Sequence, residues 1–193
     1  MVQFYKVILF ISILLSSQVF AFSELDFIKV KNGCIRCDVI DADISGADLS
    51  KKDFTGVNLT GSDLRGVDFS KSILVSSNFI NTDLSGSKFK GVDLSGVNFT
   101  NSEMYGLDLL NTNLTDANLT DVNLSGSSLF AANLTRANLT RANLSNVNLF
   151  GANLTGTNLT GANLTGSDIF GVKLDDAILC NTLLPWGVDD SGC

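Results

Sequence analysis

Ala137-Asn138-Leu139-Thr140-Arg141-Ala142-Asn143-Leu144-Ser145-Asn146 repeats one five-residue phrase, and Ala162-Asn163-Leu164-Thr165-Gly166 repeats it again in the same phase. Stepping outward by five from Leu139 reaches Val39 in one direction and Leu184 in the other. All thirty residues met on the way are apolar, so no insertion shifts the register. Two residues before each centre, positions 42 to 182 hold only Ala, Ser, Thr or Val, apart from Lys52 and Leu107. Asp or Asn fills 22 of the 29 positions from 43 to 183 immediately before a centre, Ser or Thr is common just after it, and Gly is frequent at the next place. A period of five fits neither the 3.6 of a helix nor the 2.0 of a simple strand. Fixed self-similarity instead marks a solenoid, in which each unit buries its apolar residue only against its neighbours. Large and small inward residues fill a narrow core, and Asp, Asn and Gly turn the chain. Each pentapeptide therefore reads as a short extended side followed by a corner.

These phrases resemble the pentapeptide-repeat proteins over about three quarters of the chain. The resemblance implies an all-β fold: a right-handed, four-sided parallel β-helix with four pentapeptides per coil, so that residues twenty apart stack. Thirty repeats then make about seven coils and a half, and at roughly 4.8 Å per coil the rod is about 35 Å long.

The single proline and thirteen phenylalanines argue against a disordered chain. A net charge of −7 with scattered carboxylates argues against nucleic-acid binding. The lack of histidine removes the side chain most used for proton transfer near neutral pH and for holding metals. No nucleophile has a plausible base beside it, so a non-enzymatic chain without cofactor or metal is expected.

The chain divides into four segments. Lys6, the apolar run Val7 to Leu15 and the small-residue site Val19-Phe20-Ala21 read as an export signal over 1–21, with the mature chain starting at Phe22 and no stable membrane insertion after cleavage. Residues 22–37 read as an N-terminal cap. Within it Ser23-Glu24-Leu25-Asp26 has capping-box spacing, Phe22 and Phe27 are placed for a hydrophobic staple, and a helix over Glu24 to Lys31 is expected. The β-helix follows over 38–184, and Pro185-Trp186-Gly187 opens a capping tail over 185–193. This tail resembles the Cys and Pro-x-Gly segment of some pentapeptide-repeat proteins, with Trp186 where an acidic residue is expected, which leaves open whether it only caps or also dimerises.

Four cysteines suit an oxidising compartment, periplasmic or extracellular. A rod this long keeps its ends apart, so pairing of Cys34 with Cys37 and of Cys180 with Cys193 is expected. A redox role for the Cys34-x-x-Cys37 motif lacks the βαβ context it needs, and a structural staple is the better reading.

Stacking at twenty residues converts the sequence into surface columns. Leu110, Phe130, Phe150 and Phe170 fall where Ser or Thr is usual and should point outward, as a structural ladder or a contact surface. Asp43, Asp63, Asp83 and Glu103 form an acidic column that reads as solvated turn residues. Asn58, Asn78, Asn98, Asn118, Asn138 and Asn158 form an amide column expected to hydrogen-bond along its own length. The functional expectation is an exported binding or assembly module with a protein partner, the ends leaving room for a homodimer. The resemblance also implies an alternative, a DNA-mimicking protein that binds a type II topoisomerase, which requires the export signal to be non-functional.

Overall fold

The structure is a computed structural model and describes Val30 and residues 32–193. The export signal lies outside the described residues, as does the expected helical cap apart from its end, where Val30 and Asn32 are helical. From Asp38 onward the chain is a ladder of parallel bridges, each joining a residue to the one twenty positions later. Asp38, Asn58, Asn78, Asn98, Asn118, Asn138, Asn158 and Ile178 run up one such ladder, and three more start from Asp43, Asp48 and Asp53. Four ladders offset by five residues make four faces, here called first to fourth in that order.

Backbone pairing explains why so short a repeat holds together. In a representative unit, Leu119 N donates to the Asn138 carbonyl at 2.7 Å, Asn138 N donates back to Ala117 at 2.9 Å, and Asp121 N donates to Thr140 at 3.0 Å. Ala117 N closes the corner on Leu114 at 3.1 Å. Pairing touches one residue per side before the chain turns, so the faces are columns of isolated bridges instead of extended strands. The two extended strands among the described residues are β1, Thr182–Leu184, and β2, Gly187–Asp189, an antiparallel hairpin around Pro185 and Trp186 at the end of the rod.

The core is the expected stack of centres, with the small residues filling the corners between them. Its composition changes along the axis. Phe54, Phe69, Phe79, Phe89 and Phe99 are buried below Met104, with Phe69 stacked on Phe89 at 5.4 Å and Phe79 on Phe99 at 5.1 Å. Above Met104 the buried centres are leucines. Several serine hydroxyls close the core's polar accounts: Ser127 Oγ donates to the Met104 carbonyl at 2.8 Å and accepts from Leu107 N at 3.0 Å. Ser62 does the same for Val39 and Ala42, and Ser72 for Leu49 and Lys52. Among the described residues no buried side-chain polar atom lacks a partner.

Candidate interaction surface

The column on the third face is exposed along its length: Leu110 is 49% accessible, Phe130 37%, Phe150 38% and Phe170 73%. Asn148 Oδ1 accepts from the Phe150 amide at 3.0 Å and Asp168 Oδ1 from that of Phe170 at 3.1 Å, which fixes the corner from which each ring projects. Phe130 and Phe150 stack with centroids 5.3 Å apart and planes 6° from parallel, and Phe150 and Phe170 follow at 5.5 Å and 27°. Ring faces are turned to one another, so the column offers the outside a row of apolar edges. Ala131, Gly151 and Gly171 occupy the adjoining corner and leave that flank low, while Ser128 and Asn148 line the other. Below Leu110 the same column continues as Lys90, Ser70 and Ser50, so the apolar surface is confined to the upper half of the rod.

The acidic column stands on the second face, and each of its carboxylates has a local partner. Asp43 accepts from Ser45 Oγ at 2.7 Å, Asp63 is paired with the Arg65 guanidinium, Asp83 accepts from Ser85 N at 2.9 Å and Glu103 from Asn123 Nδ2 at 2.7 Å. Arg65 Nε also lies 3.9 Å from Asp83 Oδ2, which sets a cation inside the column. The hydrogen bonds from Arg65 hold the Asp63 carboxyl below its ordinary range.

The asparagine column on the first face behaves differently from expectation. Asn118 Oδ1 accepts from Thr120 N at 3.2 Å and Thr120 Oγ1 at 2.7 Å, and Asn98 and Asn138 repeat this with Thr100 and Thr140. On this face each of these amide oxygens serves its own corner and does not accept from the next amide, whereas on the second face Asn123 Oδ1 serves Ser125 and also accepts from Asn143 Nδ2 at 3.2 Å. Asn138 Nδ2 instead reaches Thr120 Oγ1 of the preceding coil at 3.0 Å.

Among the described residues three ion pairs join residues twenty apart, Lys88 with Asp68 at 3.5 Å on the third face and two at corners. Arg136 and Asp116, and Arg141 and Asp121, meet through paired nitrogen and oxygen atoms at 2.6 to 2.7 Å. The sequence signal for these two is the same twenty-residue spacing, at corner positions instead of faces. Gly161 lies over the Arg141 stem, where an added Cβ would stand 3.3 Å from Cγ.

Cys34 and Cys37 stand at bonding distance with Cα atoms 5.8 Å apart, and Cys180 and Cys193 with Cα atoms 4.7 Å apart. The first pair packs partly buried against the core beneath the lowest coil. Among the described residues no cluster of His, Cys, Asp or Glu is placed to hold a metal ion, and no helix is long and apolar enough to cross a membrane.

No curated protein matches the chain. Among solved structures, HetL, a pentapeptide repeat protein involved in heterocyst differentiation regulation in the cyanobacterium Nostoc, is 25% identical, with 80% of this chain and 90% of that one covered and a TM-score of 0.44. A trypsin-treated variant of QnrB1, a plasmid-mediated fluoroquinolone resistance protein, is 21% identical over 73% of this chain and 74% of that one, with a TM-score of 0.43. A pentapeptide repeat protein from the Arabidopsis thaliana thylakoid lumen is 27% identical over 64% and 69%, with a TM-score of 0.23. The model of the pentapeptide repeats matches eight copies, over residues 37–74, 77–116, 108–146 and 148–184. These spans cover nearly the whole stretch in which the bridges step by twenty, and the chain belongs to the pentapeptide-repeat family.

Proposed function

We propose that this chain is an exported, non-enzymatic rod that binds or assembles with another protein through the column Leu110, Phe130, Phe150 and Phe170. Residues 1–21 direct export and are removed, 22–37 cap the lower end, 38–184 form about seven coils, and 185–193 cap the upper end. The cysteine pairs are oxidised in the mature protein.

One observation carries the reading. Ser or Thr fills 17 of the 30 places just after a centre, and the large apolar exceptions elsewhere, such as Ile40 and Tyr105, are scattered, yet at four successive levels of one face the repeat places large apolar groups that stay accessible. Contiguous exposed apolar area of this kind is a common contact surface. The acidic column supports a phosphate-like role poorly, because Arg65 sits within it and its carboxylates are engaged by neighbouring side chains and amides.

Replacing Phe130, Phe150 and Phe170 together with Ser restores the commonest class at that position, so the coil should still form. The triple variant is expected to keep its β-rich circular dichroism and to lose self-association or capture of its partner from an envelope extract. Binding as before, with melting lowered by up to about 1.5 kcal/mol per lost aromatic pair, makes the column a structural ladder only.

A further inference from the structure

On the third face one rung is missing. Asp68 bridges Lys88 and Asp108 bridges Ser128, but Lys88 and Asp108 do not bridge, the single such interruption in the twenty-residue ladders from Asp38 to Leu183. The backbone bonds that the pattern calls for from Phe89 N to Asp108, from Gly91 N to Leu110 and from Asp108 N to Ser87 are absent there. A shallow cleft lined by Ser70, Ser87, Lys88, Phe89, Lys90 and Asp108 opens in their place. At the same height the first face, opposite, is intact, with Asn78 bridged to Asn98 and Asn98 to Asn118 and every inter-coil backbone bond of the pattern made. The flanking faces keep their bridges but lack single bonds: Asp83 N to Ser62 and Gly86 N to Tyr105 on the second, and Leu74 N to Asp93, Asp93 N to Ser72 and Asn113 N to Val92 on the fourth.

The residue at the missing rung that departs from the repeat is Leu107. It is one of two exceptions at the small inward position, and unlike Lys52 it carries a bulky apolar group that is 97% buried, its accessibility being 3%. Ala47, Val67, Ser127, Val147 and Ser167 fill the same corner at other levels, where rungs are kept. Bonding of the Leu107 amide to Ser127 does not account for the missing rung, since Val147 donates to Ser167 in the same way while Asn148 keeps its rung to Ser128 below. Overfilling a close-packed corner forces the backbone to move, and the bonds missing here lie on the third face and its two flanks, away from the first.

We propose that this seam is a hinge between two stacks, which tilt about the intact first face and open at the third. The last buried phenylalanine of the core, Phe99, lies at this level with only leucines among the buried centres above Met104, and the third-face surface changes from Lys90 to the Leu110–Phe170 column. Tilting therefore re-aims the aromatic surface relative to the charged lower half of the rod. A stack whose units contact only their neighbours can yield at one weak interface without unfolding elsewhere.

Amide hydrogen exchange on the full mature chain tests the seam. The amides of Phe89, Gly91 and Asp108 are expected to exchange about tenfold faster or more than those of Leu109, Asn111 and Ser128, their paired equivalents one coil up. Leu107→Val, the residue at 67 and 147 in this column, is expected to remove most of that difference, and Leu107→Ala serves if the valine variant folds poorly. Spin labels at 48 and 148, on the opening face, are expected to give a broader distance distribution than labels at 38 and 138, narrowing in the Leu107→Val chain. Equal exchange in the unmodified protein, no response to either substitution, or equal widths on the two faces would overturn the hinge.

Discussion

Ala131 holds a corner at φ 52°, in the left-handed region that its neighbours along the chain fill with Gly126, Asp121 or Arg136. A residue with a Cβ is strained there by roughly 1 kcal/mol, and alanine has no polar side chain with which to offset it. Ala131 is exposed, and directly above it Gly151 has nothing within 4 Å of an added Cβ, so its methyl group does little packing. Ala131→Gly should therefore raise stability by about 0.5 kcal/mol after the greater entropy of the unfolded glycine chain is subtracted. Chemical denaturation would measure it, and a lower midpoint would contradict the assignment of strain. At Asn118 and its column the sequence predicts an amide chain that the structure replaces with bonds to Thr hydroxyls. Periodicity says which residues stack but not which atoms meet: Asn138 Nδ2 donates to the Thr120 hydroxyl below, whereas Asn143 Nδ2 donates to the Asn123 oxygen.

At the scale of the corner, the commonest device is a carboxylate or amide accepting from the residue two places on. The hydroxyls of Ser50, Thr55 and Ser70 hold Asp48, Asp53 and Asp68 below the ordinary carboxylate value of 3.8, and Arg136 and Arg141 do so for Asp116 and Asp121. A folded value below the unfolded one means that the stabilisation is complete above the unfolded value and is lost as pH falls through the folded one. Thermal melting followed by circular dichroism should be nearly flat from pH 7 to about 5 and decline below about 4. Replacing Asp48, Asp53 and Asp68 with Asn, which fills the same place in the upper coils, should make the acid decline shallower. A midpoint that rises on acidification would refute this account. The corners were legible because five-residue spacing is invariant; the seam was not. Leu107 stood out in the sequence as an exception, but only the packing shows that Ser87 below it and Ser127 above it do not offset its bulk on the third face.

For the whole molecule, the ladder from Asp38 to Ile178 takes seven steps, and at roughly 4.8 Å per step the two ends of the rod stand about 34 Å apart. That separation far exceeds the roughly 7 Å that a disulfide tolerates between Cα atoms, whereas the pairs within each end lie 5.8 and 4.7 Å apart. Each pair ties a place where an open solenoid is vulnerable, because a terminal coil exposes its core and its unpaired backbone. Below, Cys34 and Cys37 pack against the first coil; above, Cys193 fastens the tail that follows the β1–β2 hairpin back to the last coil. Non-reducing peptide mapping of protein recovered from the cell envelope should therefore show a mature chain starting at Phe22, with Cys34 joined to Cys37 and Cys180 joined to Cys193. A retained residue 1–21 segment with all four thiols free would remove the case for export. A bond between the two ends of one chain would contradict the rod itself. Breaking only the upper bond, with Cys180→Ser and Cys193→Ser together, opens a loop of about 14 residues and should cost on the order of 3 kcal/mol. That loss should fall on the topmost coils first, because each coil is held by its neighbours alone.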